Sequence, residues 1–428
     1  MHSPNRRTFL LGAAAAGLSL VAGPRAGHAV APSDRVRCAF VGVRGQGGNL
    51  LRTFAAQPDV EVTHICDLDE AVRKTKAAEV TEKHKWMPKL VVDYRTVLDD
   101  ATIDAVVIGT PDHWHALPCI HACLANKDVY VEKPDGHNIR EGQVMVAAAR
   151  KNNRMVQMGT QSRSAQDLRD AIEFIRSGAI GKVVTGKAWE TDKQRPIPKV
   201  ADAEPPAGVD YDLWLGPAPK RPFNPMRFHG NWRWFFDYGC GDLGNDGVHR
   251  LDYCRWLMGI TTLPTAVSAA GGKFFFDDAQ EWPDTQMVTY EYPNQVMSYE
   301  MRIWSKPRMF GATEGAAIYG DAGWVIVTGG GWKAFDGDEK LLKEGKRGDI
   351  LTAHVRNFLE CVKSRKREAL NQEIESGHLS SVLCHAGNIA WRTGKKLKID
   401  PKTETFDDAD ANKLVGREAR KGFELPKL

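Results

Sequence analysis

Over the first 158 residues, short apolar runs alternate with amphipathic stretches. Residues 37–43, 60–66, 89–92, 103–110, 128–133 and 154–158 form the runs, and 49–56, 95–98, 112–126 and 140–152 have helical character. Unbroken apolarity marks strands buried on both faces, and strand–helix repetition predicts a parallel sheet with right-handed crossovers. From residue 161 the pattern changes. A helix over 166–177 precedes a strand over 183–190, and the proline-rich stretch 195–225 has no period and is expected to be a long ordered loop. The runs 266–276, 286–292, 296–304 and 316–327, with turns such as Pro293-Asn294-Gln295 between them, predict an antiparallel sheet. Helices over 351–364 and 376–393 follow, and the charged tail from Lys402 is expected on the surface.

At 428 residues the chain fits two or three domains. Its formal charge of +4 includes Arg6, Arg7 and Arg25 in an N-terminal stretch that looks removable, so there is no basic field for nucleic acid. In that stretch, twin arginines precede a short alanine-rich apolar run from Gly12 to Val21. It resembles a Tat export signal over residues 1–29, with cleavage after Ala29 and a periplasmic destination, and the run is too short to span a bilayer. The eight cysteines form no CxxC pair and lie mostly in apolar runs, so they are read as small buried residues.

The chemistry begins at the first strand's end. Gly42, Arg44, Gly45, Gln46 and Gly47 lie between a strand and a helix, the context a dinucleotide-binding turn requires. Asp67, 20 residues past Gly47, closes the second strand. A carboxylate there accepts hydrogen bonds from ribose hydroxyls and repels a 2′-phosphate, which favours NAD over NADP. Arg44 stands where the middle glycine of the usual turn belongs, so either the loop shifts through Gly45 or Arg44 meets phosphate. Thr110, Pro111 and His115 follow the fourth apolar run. His113 and His115 have no carboxylate or cysteine at ligand spacing, and no metal is expected.

Two further clusters carry the reaction. Glu132-Lys133-Pro134 ends an apolar strand where ligands of open parallel sheets sit, and Pro134 cannot extend the ladder. Between residues 231 and 252, glycines and aromatics surround Trp232, Arg233, Asn245, Asp246 and His249. Helical spacing allows His249 to neighbour either Asn245 or Asp246.

With these motifs in order, the chain resembles the Gfo/Idh/MocA oxidoreductases from about Arg35 onward. The resemblance rests on the glycine turn with Asp67, on Thr110-Pro111 with His115, on Glu132-Lys133-Pro134, on Gly159 followed by Arg163, and on the glycine-rich run 239–249. It implies an α/β fold: an N-terminal Rossmann parallel sheet (35–158), then a C-terminal α/β domain (159–428) with a large, mostly antiparallel open sheet that makes a homo-oligomer. It also implies bound NAD, a small carbohydrate substrate, and the lysine and histidine flanking the reacting carbon, with Arg163, Trp232 and Arg233 lining the sugar pocket. The family's aspartate four residues before the histidine is replaced here by Asn245, with the carboxylate displaced to Asp246.

Three functions follow. In the first, His249 takes a proton from a sugar, cyclitol or glycoside hydroxyl during oxidation, and Lys133 stabilises the developing charge. In the second, the oxidation is transient and the net reaction is glycoside cleavage with NAD recycled. In the third, the protein is a cofactor-bound sugar sensor without turnover, against which Lys133 and His249 count. Export favours a cofactor that stays bound.

Overall fold

The computed structural model describes residues 34–428, so the export segment expected over residues 1–29 lies outside the described residues. Six strands form the first sheet: β1 (Val36–Val41), β2 (Val60–Cys66), β3 (Lys89–Val91), β4 (Ala105–Ile108), β5 (Asp128–Val131) and β6 (Val156–Met158). They run parallel in the order β3-β2-β1-β4-β5-β6. β4 and β5 are buried throughout and β1 nearly so, as their apolar runs require. The strand order reverses between β1 and β4, and such a reversal opens a crevice at the strands' carboxyl ends. Gly42 follows β1, Thr110 follows β4 and Lys133 follows β5, so the turns singled out by sequence meet at that crevice.

Close backbone approach there depends on glycine. Gly42 holds φ at +76°, and a Cβ on it would lie 2.8 Å from the Thr110 nitrogen. A Cβ on Gly47 would lie 2.0 Å from the Gly42 carbonyl oxygen, so the helix Gly45–Ala55 can sit on β1 only without a side chain at 47. Gly47→Ala is therefore expected to displace that helix, cost about 1–3 kcal/mol and release bound nucleotide; thermal denaturation and nucleotide content of the purified variant check this.

The second sheet contains β7 (Val183–Thr191), β8 (Ala266–Gly272), β9 (Thr285–Glu291), β10 (Val296–Arg302), β11 (Glu314–Gly320), β12 (Gly323–Thr328), β13 (Gly331–Asp336), β14 (Leu341–Lys346), β15 (Leu397–Asp400) and β16 (Thr405–Phe406). Their order is β14-β13-β12-β11-β7-β10-β9-β8-β15-β16, antiparallel except for the β7–β10 pair. Helices Gln166–Arg176, Val248–Leu257 and Ile374–Thr393 pack against this sheet. Val184, Met287 and Val296 remain exposed on its strands.

Several expectations change. The run 316–327 is a hairpin, β11 and β12, because the chain turns at Asp321-Ala322. β13 and β14 went unmarked; β14 is largely exposed and lysine- and glutamate-bearing, a composition that blunts a sheet edge. The division at 158/159 separates the sheets but not the cores. Helix Ile350–Ser364 returns to the first one, where the Phe358 ring packs edge-on against Phe54 and Tyr130. The tail is not merely a surface segment, since Glu404 accepts from buried His378 and Arg417 pairs with Glu141 at 2.8 Å. All eight cysteines are buried and free.

Candidate active site

The crevice at the ends of β1, β4 and β5 is a cavity of about 410 Å³, closed on its far side by the second domain. Gly42, Arg44, Gly45, Gln46, Asp67, Thr110, Pro111, His115, Glu132 and Lys133 face Trp232, Arg233, Asn245, Asp246 and His249 across it. Gly47 packs beneath the turn rather than lining the cavity.

The β1 end fits a dinucleotide. Gly45 begins its helix with φ +42° and open space where a Cβ would stand, and the helix's first-turn N–H groups have no intrahelical acceptor. The loop thus passes through Gly45, while the exposed Arg44 side chain reaches Asp69 at 3.5 Å. Asp67 accepts from the Val43 N–H (3.0 Å) and the Asp69 N–H (3.1 Å). Burial raises its pKa and those donors oppose the rise. The buried Thr110 hydroxyl has no partner among the described residues. Helix-start N–H groups for a pyrophosphate, a carboxylate for ribose hydroxyls and an unpaired hydroxyl along the wall suit NAD.

The lower wall is tied by hydrogen bonds. His115 sits between the Pro134 and Thr110 carbonyl oxygens, at 2.6 and 2.9 Å, joining the turns after β4 and β5. Glu132 is buried and accepts from Gln46 Nε2 at 3.1 Å; burial raises its pKa against the opposing charge of Lys133. The Lys133 ammonium donates to the Asn245 carbonyl oxygen (2.6 Å) and Oδ1 (3.0 Å), and Asn245 Nδ2 donates to Asp246 Oδ2 (2.8 Å). Because an ammonium only donates and a carboxylate only accepts, this chain fixes the amide's orientation.

Asn245 and Asp246 lie in a π turn, Leu243–Gly247, that runs into helix Val248–Leu257. Asn245 is taken up by Lys133 and Asp246, and among the described residues no side-chain hydrogen bond joins Asn245 or Asp246 to the His249 imidazole. Burial, then the charges of Lys133 and Arg250, hold the His249 imidazole well below its ordinary pKa.

Arg163 is a correction. It was expected in the sugar pocket, but its guanidinium grips Asp252 at 2.8 Å through Nε and Nη2 and lies over Trp256, 4.6 Å from the ring centre, away from the cavity. Asp252 also accepts from Ser380 Oγ (2.6 Å) and Gln372 Nε2 (2.9 Å). Arg163→Met would leave buried Asp252 with only the more distant Arg255, at 3.8 Å, as a counter-charge, and a loss of about 3 kcal/mol in urea unfolding is expected, with nucleotide still bound in the folded protein. The sequence reading overlooked His229, Trp114, Trp214 and Phe228, which also line the cavity. His229 meets Asp69 Oδ2 at 3.1 Å, and burial lowers its pKa to about 4. The 195–225 loop reaches the nucleotide side, where Gly208 accepts from the Glu70 N–H at 3.1 Å. Its proline content marked a loop but not where it docks.

The parallel sheet with its glycine turn, Asp67 and the facing substrate wall define an NAD-binding oxidoreductase. Residues 36–160 match the oxidoreductase family's NAD-binding Rossmann fold, and 179–425 match its C-terminal alpha/beta domain. The chain belongs to the Gfo/Idh/MocA oxidoreductase family. It is 30% identical over 212 residues to a glycosyl hydrolase family 109 protein of Shewanella baltica, covering 44% of this chain and 46% of the relative. A glycosyl hydrolase family 109 protein of Shewanella sp. strain W3-18-1 is 29% identical over the same length. The chain thus spans about half the length of these curated relatives. Among solved structures, aldose-aldose oxidoreductase from Caulobacter crescentus, complexed with glycerol, superposes with TM-score 0.66 at 18% identity, covering 85% of this chain and 100% of that one. Levoglucosan dehydrogenase with NADH and levoglucosan gives 0.64 at 17%, covering 85% and 99%. At these identities the likeness is one of fold.

Proposed function

We propose that the protein oxidises a hydroxyl of a sugar or glycoside with an NAD that stays bound, the residues around Lys133 handling the proton and the charge. The observation that carries this reading is the Lys133–Asn245–Asp246 chain, which sets an ammonium and a carboxylate on one wall of the cavity that also holds Asp67. When bound, the nicotinamide supplies the hydride acceptor. Lys133 donates to the substrate oxygen as it gains negative charge. Asp246 takes the hydroxyl proton, since the surroundings of His249 disfavour imidazolium and no carboxylate orients it. His249 remains neutral and positions the hydroxyl. Trp232, with the Arg233 guanidinium 5.1 Å from its ring centre, offers an apolar face and a cation to the sugar.

These roles predict an order. Asp246→Asn should lower kcat by about 10²–10⁴-fold, whereas His249→Asn should act mainly on KM. The comparison requires steady-state rates for both variants, and the reverse order returns the base to His249.

A second reading is favoured by the glycosyl hydrolase family 109 relatives: the oxidation is transient, and the net reaction cleaves a glycoside while NAD returns to its starting state. Product formation without accumulating NADH supports recycling; NADH in step with product supports net oxidation. We further propose export to the periplasm by the Tat route and a homo-oligomer through the open sheet carrying Val184, Met287 and Val296. Intact mass of the exported protein, with Met1 absent, would support the first.

A further inference from the structure

The second half of the proline-rich stretch, continued to His229, crosses from the second domain back over the nucleotide side of the first. Its earliest contact is made by backbone. Gly208 accepts from the Glu70 N–H at 3.1 Å and Asp210 donates to the Leu68 carbonyl oxygen at 3.3 Å, so Asp69 and Val209 form an antiparallel bridge. Its last contact is a side-chain one, between His229 Nε2 and Asp69 Oδ2 at 3.1 Å. Asp69 is two residues past Asp67, and its N–H donates to the Asp67 carboxylate at 3.1 Å. Both ends of the segment are thus fastened to the turn that carries the carboxylate expected to hold the ribose.

Between those ends the segment is stiffened by its own rings. Tyr211, Trp214, Phe223 and Phe228 pack with ring centres 5.1 to 5.6 Å apart. The Trp214 carbonyl oxygen accepts from Trp114 Nε1 at 2.9 Å, and Gly216 passes so close that a Cβ would lie 2.1 Å from the Trp114 ring. From outside, Arg420 of the C-terminal tail donates to the Gly216 carbonyl oxygen (2.7 Å) and to Asp212 Oδ1 (2.8 Å). Leu213, Trp214, Phe228 and His229 line the cavity together with Leu68 and Asp69, whereas Arg420 does not line it. His229 holds φ at +60°, a conformation few non-glycine residues adopt, so packing rather than local preference sets its ring beside Asp69.

We propose that residues 208–229 are a strap that closes the nucleotide side of the cavity and keeps NAD from exchanging, with His229 as its latch and Arg420 as its outer pin. This rests on the reading that NAD stays bound, and it supplies the cause. The nucleotide leaves only when the strap lifts from residues 68–70, which breaks the two backbone bonds and the His229–Asp69 bond together while both sheets stay folded. Arg420 is a positioning residue, since it touches neither the cavity nor the turn and acts only by holding the strap down. It therefore governs the lifetime of the bound state rather than the movement of hydride or proton.

The test is a label chase. Protein loaded with radiolabelled NAD⁺ is mixed with excess unlabelled NAD⁺, and the label retained after desalting is followed with time. His229→Ala and Arg420→Met should each release label about tenfold faster than wild type or more, the factor expected when the closed state loses a hydrogen bond to a charged group. Arg163→Met is the control: its loss of stability lies away from the strap, so it should release label at the wild-type rate. Slow release that neither strap variant speeds would overturn the strap and leave the bound cofactor standing. Release from Arg163→Met as fast as from Arg420→Met would also overturn it, because overall stability would then govern retention. Wild type that exchanges its label within the time of desalting would overturn the strap and the bound cofactor together. The chase contains no sugar, so failure of sugar oxidation, read separately from nicotinamide absorbance, is distinguishable from failure of the strap.

Discussion

Lys133→Met is expected to lower turnover by about 10²–10³-fold while leaving NAD bound. The ammonium is the cation that bonds to Asn245 at the end of β5, and methionine keeps the length of the side chain while removing charge and donors. Two effects add. The substrate oxygen loses the donor that favours its charged form, and the Asn245 amide loses the partner that orients it toward Asp246. The nucleotide contacts expected of Gly45, Asp67 and Thr110 lie elsewhere on the wall, so nucleotide content should match wild type. Steady-state kinetics with nucleotide quantified after denaturation checks both parts. Turnover close to wild type would remove Lys133 from the chemistry.

The second large effect concerns stability. His378 is buried between Asp135 Oδ2 at 2.7 Å and Glu404 Oε2 at 2.9 Å, joining the turn after Lys133 to the C-terminal tail. Burial opposes its charge, but Asp135 and Glu404 push its pKa up to about 10. Burial also opposes the charge on Asp135, yet His378 holds that carboxyl below its usual range. His378→Ala leaves two carboxylates facing each other without a cation, and a loss of about 3–5 kcal/mol is expected in urea unfolding at pH 7. The pH dependence has a definite sign. Because the folded pKa of His378 exceeds the unfolded value, its stabilisation is full below pH 6.5 and declines as pH rises towards about 10. The Asp135 and Glu404 contributions, with lowered folded pKa values, are lost instead as pH falls through the acid range. Wild type should therefore lose more stability between pH 7 and 10 than His378→Ala does. Parallel pH profiles would show that His378 is neutral in the folded protein.

What sequence could show depended on distance along the chain. The glycine turn, Asp67 and Glu132-Lys133-Pro134 were legible because each does its work within a few residues of a strand end. Arg163 was misplaced because its partner, Asp252, lies 89 residues away, and nothing local marks a guanidinium as paired rather than free. The His378 clamp spans 243 residues to Asp135, and its charge exists only because both carboxylates arrive there. The Asn245 departure was visible as a residue change, but its consequence was not. Only the folded chain shows that Asn245 couples Lys133 to Asp246, with no side-chain hydrogen bond among the described residues from Asn245 or Asp246 to the His249 imidazole.

The most direct test of sugar oxidation at a bound NAD is a single-turnover absorbance measurement on the NAD-loaded protein with a panel of glycosides and free sugars. At least one should raise nicotinamide absorbance in wild type and fail to do so in Lys133→Met with its nucleotide still bound. Sugars that raise the melting temperature yet leave the absorbance unchanged across the whole panel would contradict the account and make the protein a sensor.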